Sequence, residues 1–351
     1  MKMLAKAAAL TALALWPLAT PAGAADPIVI KFSHVVTPDT PKGQGAEKFR
    51  ELAEKYTDGR VRVDVFPNSQ LYKDKEELEA LQLGSVQMLA PSASKFGPLG
   101  IKEFEAFDIP FLFHTADELH RVYGGPIGAE LNKKLETKGI IRLANWDNGF
   151  KVMSANKPLR LPEDMKGLKV RIKSSKVLDA QMRQLGALPQ VMAFSEVYQA
   201  LQTGVVDGTE NTPINMLTQK FDEVQKYTTL TNHGFDDYII ITNAKFWTGL
   251  PPDIRAQLER AMADATEFVD EKVRQINDEA IARMRESGRT SFISPTAAEL
   301  ASWEQALLPV RAAVRERVGG DFLDRLESAH HAVGHYIKQR LIVRIMIYVF
   351  M

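Results

Sequence analysis

Residues 252–287 hold few helix breakers, and Leu258, Met262, Ala265, Val269, Val273, Ile276 and Ile281 recur at helical spacing, which predicts one continuous helix. At about 1.5 Å of rise per residue it is roughly 50 Å long, more than the width of one small domain. A helix of that length most simply lies along two packed units and braces them. The 351 residues are enough for two such units, each with its own core.

Strands and helices alternate ahead of it. Residues 28–34 read as a strand, and Thr40-Pro41 supplies a cap and a first-turn proline for a helix with Ala46, Phe49, Leu52, Ala53 and Tyr56 on one face. Val61, Val63 and Val65 alternate as a strand. A charged helix is expected from Asp74 to Gly84, a strand from Val86 to Leu89, helices at about 115–123 and 127–138, and a strand from Ile140 to Trp146. A second unit begins near Asn148: strand 168–172, a helix stopped by Gly186, strand 190–193, and helix 195–203 with Ser195 as its expected N-cap. Residues 238–243 form a further buried strand, too late in the chain for the second unit alone. Such alternation means an α/β protein with parallel or mixed sheets covered on both faces.

Composition narrows the function. Lysine plus arginine equal aspartate plus glutamate at 44 each, with no basic block, which argues against a nucleic-acid partner. Cysteine is absent, so disulfides and thiolate chemistry are excluded. Lys2 and Lys6, the apolar run Ala7 to Leu18, and Ala22-Gly23-Ala24 read as a secretory signal over residues 1–24; the run is too short to span a bilayer.

Motifs for catalysis are missing: no Gly-x-Ser-x-Gly, P-loop or Gly-x-Gly-x-x-Gly occurs. His331 and His335 are four apart beside His330 but lack the glutamate of the His-Glu-x-x-His pattern, so no metal site is expected. Binding residues are better represented. Arg171 lies almost at the carboxyl end of its strand, where open α/β sheets take ligands, and its planar fork matches a carboxylate. A solvated strand-edge arginine fits the same pattern. Asn211 follows Val205-Val206-Asp207-Gly208; its amide can donate to the same carboxylate while accepting from a hydroxyl or backbone group, or it simply suits a turn. Phe194 packs on a ligand or in the core. Lys151 lies at the proposed crossing between units, Ser92 ends the third strand, and Lys42 opens the first long helix, where an anion would also meet free N–H groups.

Several segments together resemble the periplasmic solute-binding proteins of TRAP (tripartite ATP-independent periplasmic) transporters, of the C4-dicarboxylate-binding type. They are Lys31-Phe-Ser-His34, Pro67-Asn-Ser-Gln-Leu71, Ala80-Leu-Gln-Leu-Gly84, Asp108-Ile-Pro-Phe111, Lys166-Gly-Leu-Lys-Val-Arg171, Ala193-Phe-Ser-Glu-Val-Tyr198 and Asp207-Gly-Thr-Glu-Asn211. The resemblance implies a two-domain periplasmic binding protein (type II-like) that closes on a carboxylate, with no cofactor and no catalysis. It makes Arg171 the main carboxylate ligand, Asn211 its neighbouring donor and Phe194 part of the same wall. Sialic-acid-binding relatives have arginine where this chain has Lys151 and an acid where it has Ser92. A lysine and a serine, free of acidic repulsion, then suit the second carboxylate of a short diacid, with Lys42 and His34 at that distal end.

The implied organisation is residues 25–148 plus about 236–275 as domain I, and 149–235 plus about 276–330 as domain II, ahead of an atypical tail at 331–351. Leu341 to Met351 departs from the family pattern and reads as a read-through end or a surface-docking segment; it is too short to span a membrane. The expectation is a monomeric periplasmic receptor that binds succinate, fumarate or malate and delivers it to TRAP membrane subunits. A 2-oxo acid or sugar acid is the alternative ligand, and a carboxylate-processing enzyme the alternative class.

Overall fold

The computed structural model describes residues 26–329. The expected signal sequence, the histidines at 330, 331 and 335, and the segment 341–351 lie outside those residues.

In chain order the strands are β1 (Ile28–Ser33), β2 (Val61–Phe66), β3 (Met88–Leu89), β4 (Ile140–Phe150), β5 (Val152–Ala155), β6 (Lys169–Ile172), β7 (Leu188–Val191), β8 (Gly208–Asn211), β9 (Tyr227–Thr229), β10 (Phe235–Asn243) and β11 (Ser291–Ile293). They form two mixed sheets, ordered β2-β1-β3-β10-β4 and β11-β9-β5-β8-β6-β7. In the first, β1 runs parallel to β2 and β3, while β10 returns antiparallel between β3 and β4. In the second, β6 is parallel to β7 and β8, and β5 is antiparallel to β8 and β9. The late strand anticipated at 238–243 is therefore the one that returns to the first sheet.

Two crossings between the sheets lie side by side. Lys151 alone separates β4 from β5, and its backbone N–H donates to the Gly234 carbonyl (2.8 Å) just before β10. Pairing of Phe150 with Phe235 extends β4 and β10 beyond the expected Ile140–Trp146 and 238–243, so both strands run up to the crossing.

The long helix spans Pro252–Ser287, starting on a first-turn proline and ending at Gly288, whose φ of 65° suits glycine. Its first half packs on helix Pro41–Tyr56 and β4, and a later part on helix Pro213–Thr218 of the second unit. Gly45 permits the close crossing: a Cβ there would lie 2.5 Å from Val269 Cγ2 and 2.9 Å from Trp146. Trp146 is fully buried against Phe32, and its Nε1 donates to Thr266 Oγ1 on the long helix (2.9 Å). Helix Ala297–Val318 packs on both helix Lys176–Gln184 and the 3-10 turn Lys102–Asp108, so it too touches both units.

Two local expectations are corrected. The charged helix covers only Glu77–Gln82, leaving Asp74 in the preceding loop, where its carboxylate has other partners. Ser195 does not cap its helix: a 3-10 turn Phe194–Glu196 precedes helix Val197–Gln202, and Asp74 caps the Phe194 N–H from the other unit.

Candidate binding cavity between the two sheets

A small cavity opens beyond the carboxyl ends of β1, β3, β6 and β8, where open α/β sheets place ligands. The first unit lines it with Val35, Val36, Asp74, Ser92 and Lys95, and the second with Arg171, Lys173, Phe194, Glu210, Asn211 and Asn215. Lys151, Asp236 and Tyr238 complete it from the crossing strands.

Arg171 is held in place before any ligand arrives. Its Nε and Nη2 donate to the Met192 carbonyl (3.1 and 2.9 Å), its guanidinium lies 5.7 Å from the Phe194 ring centroid, and its Nη2 is 3.9 Å from Asp74. Burial lowers its pKa, yet guanidinium titrates so high that it stays charged. Asn211 is oriented by its oxygen, which accepts the Thr212 N–H and the Asn215 side-chain amide (both 2.9 Å). That leaves the Asn211 amide N–H groups for the cavity. Asn215 follows Asn211 by one helical turn and also donates to the Tyr238 hydroxyl (3.3 Å). Phe194 sits on the cavity wall and packs edge-on against Phe221.

Lys151 and Ser92 do line the cavity, but the surroundings inferred for them are corrected. Lys151 is 2% exposed and lies 2.7 Å from Glu210 and 3.7 Å from Asp108, so its charge is already met. Ser92 donates to Asp236 (3.4 Å). Acids are thus present, and each is compensated by a cation. Burial alone would raise the Glu210 carboxyl, but Lys151 and His233 hold it well below the usual range. Asp236 is lowered in the same way by Lys173, which donates to it at 2.8 Å and approaches Asp108 at 3.4 Å. Against its burial, Asp74 is held down to about 2 by Lys95 and Arg171. Lys95 pairs with both Asp74 and Glu77.

Lys42 and His34 are buried beside the cavity without lining it. Lys42 Nζ donates to the Ala90 carbonyl (2.9 Å) and sits 3.5 Å from the centroid of the Tyr238 ring, so it stands one side chain behind the wall. Among the described residues neither ring nitrogen of His34 has a hydrogen-bond partner; burial, then Lys42, pushes its pKa down to about 3, leaving a neutral imidazole.

Sequence reasoning missed Asp74, Lys95, Lys173, Glu210, Asn215, Asp236 and Tyr238. Lys173 was findable, because it follows Arg171 by two residues and an extended segment repeats its facing every second residue. Asp74 and Asp236 carry no such signal.

Among the described residues one group, His120, Asp147 and Asp270, has ligand-type atoms close enough to share a cation. His120 and Asp147 already satisfy each other at 2.9 Å, and none of the three lines the cavity.

The family described as bacterial extracellular solute-binding protein, family 7, matches residues 32–317. The chain belongs to that family. Family 7 proteins are solute-binding components of transport, and its relatives are similar along nearly their whole length. The C4-dicarboxylate-binding periplasmic protein DctP of Rhodobacter capsulatus is 60% identical over 91% of this chain and 95% of its own. A TRAP periplasmic solute-binding protein from Shewanella oneidensis, solved with bound succinate, superposes with a TM-score of 0.84 at 41% identity, covering 87% of this chain and all of that one. Another from Pseudomonas aeruginosa, solved with bound L-malate, gives 0.79 at 43% identity over 82% of this chain and all of that one.

Proposed function

We propose that the protein is the periplasmic substrate-binding subunit of a TRAP transporter and takes a C4-dicarboxylate such as succinate, fumarate or malate between its two units. One observation carries the reading: the guanidinium of Arg171 and the amide of Asn211, from one sheet, line the same cavity as Lys95 and Ser92, from the segment after β3 of the other. Arg171 and Asn211 bind one carboxylate; Lys95, Ser92 and Lys151 receive the distal end, with Phe194 as a wall. Lys42 supports that end from behind Tyr238, with His34 beside Lys42.

The two lobes would be residues 26–148 with about 236–275, and 149–235 with about 276–329. A ligand touching both favours closure, because it binds the closed arrangement better than the open one. The closed form then delivers its cargo to membrane subunits of a secondary transporter. The enzyme reading is disfavoured, since the cavity charges are committed to ion pairs and to holding Arg171 and Asn211.

A second ligand class, hydroxylated acids, is favoured by one feature. Glu210 and Asp236 line the cavity as hydrogen-bond acceptors, which suit a hydroxyl as in malate. Thermal shift across succinate, fumarate, malate, 2-oxo acids and sugar acids separates these ligands, because stabilisation follows affinity. Stabilisation by the sugar acids alone would sink the dicarboxylate assignment, and turnover of any stabilising ligand would restore the enzyme reading.

A further inference from the structure

We propose that Lys42 selects for a dianionic ligand through proton uptake: as the second carboxylate enters the closed cleft, the Lys42 amine takes a proton from solvent and becomes the ammonium that balances it. This rests on the dicarboxylate reading and deepens it.

Four of the five cations around the cleft have a carboxylate close by. Lys95 is met by Asp74 and Glu77, Lys151 by Glu210, and Lys173 by Asp236 and Asp108. Arg171 has Asp74 at 3.9 Å. Lys42, 1% exposed, has no carboxylate within 4.0 Å among the described residues; its contacts are the Ala90 carbonyl and the Tyr238 ring, which tolerate either an amine or an ammonium. With Lys42 neutral, those four cations are set against Asp74, Glu210 and Asp236 on the lining and Glu77 and Asp108 behind it, one negative charge in excess. Protonation of Lys42 brings the cluster level and places a positive charge directly behind Tyr238, on the cavity wall.

The groups facing Lys42 set its poise. Burial, then the Lys95 ammonium, push it down to about 7, against the pull of Glu77, Asp236 and Asp74. His34 beside it is neutral and offers no counter-charge. An anion across Tyr238 raises the Lys42 pKa, so protons are taken up on binding near and above neutral pH. Below about pH 6 the amine already carries its proton in the empty protein, and uptake at Lys42 vanishes.

The test is titration calorimetry of the full chain with succinate, at about pH 7 and pH 8, in phosphate and in Tris. These buffers differ widely in ionisation enthalpy, and succinate is already a dianion in this range. The wild type is expected to take up about half a proton near pH 7 and more near pH 8, with affinity falling three- to tenfold over that interval. Lys42→Met should bind more weakly and lose the buffer dependence. Enthalpy independent of buffer in the wild type at both pH values overturns the proposal even if the variant does not fold. A buffer dependence that persists in Lys42→Met overturns the assignment to Lys42. No succinate binding in any buffer would overturn the dicarboxylate reading and this proposal with it.

Discussion

The carboxylate of Asp74 accepts the backbone N–H of Phe194 at 2.7 Å, joining a loop of the first unit to the start of a helix in the second. The same oxygen lies 3.9 Å from Arg171, and beside it Lys73 pairs with Glu196 at 3.0 Å. Asp74 therefore ties the wall that carries Arg171 to the 3-10 turn Ala93–Phe96, whose Lys95 it also pairs with.

Acid should expose this tie. Because the folded Asp74 pKa is depressed to about 2 from an ordinary 3.8, its contribution is fully present above the ordinary value and is lost as pH falls through about 2. That contribution is about 2 kcal/mol. Urea unfolding of the wild type should weaken between about pH 5 and pH 2. Asp74→Asn should be less stable at neutral pH and show a shallower acid slope. Parallel slopes in the two proteins would rule out the contribution.

Arg171→Ala should weaken succinate binding by about 3–5 kcal/mol, more than a hundredfold in Kd, since a carboxylate enters a closed cleft without its bidentate partner. Calorimetry on protein with unchanged circular dichroism measures it. A change of less than about threefold would remove Arg171 from the binding role.

Removing Lys173 should damage the fold as well as the cavity. Lys173→Met leaves Asp236 and Asp108 buried without their shared ammonium, a loss of about 3–5 kcal/mol in unfolding free energy. Adding Asp236→Asn should restore part of it, because one uncompensated charge is then gone. Additive losses in the double variant would contradict the pairing.

Gly149 sits at the crossing with φ of 108°, and a Cβ there would fall 2.7 Å from the Asn277 amide nitrogen, which itself donates to the Asn148 carbonyl. Gly149→Ala should lower the unfolding free energy by about 1–3 kcal/mol through backbone strain and loss of that bond. Thermal denaturation at several scan rates measures the shift. An unchanged midpoint would show that the crossing accommodates the side chain.

The sequence alone determined the architecture. Periodicity and breakers located helix Pro252–Ser287 at the bounds expected for it, together with the βαβ arrangement from β6 to β8, because those patterns record which face of each element is buried. Arg171, Asn211, Phe194, Lys151 and Ser92 were also named from the sequence, by strand-end position and family pattern, and all five line the cavity. Tertiary structure alone decided what surrounds them. Lys151 meets Glu210 across 59 residues of chain, Asp74 meets Phe194 across 120, and Lys42 turns from its helix start to the Tyr238 ring. Local pattern encodes burial, but the partner of a buried charge depends on how distant elements are packed, and at these distances that packing sets both pKa and charge balance.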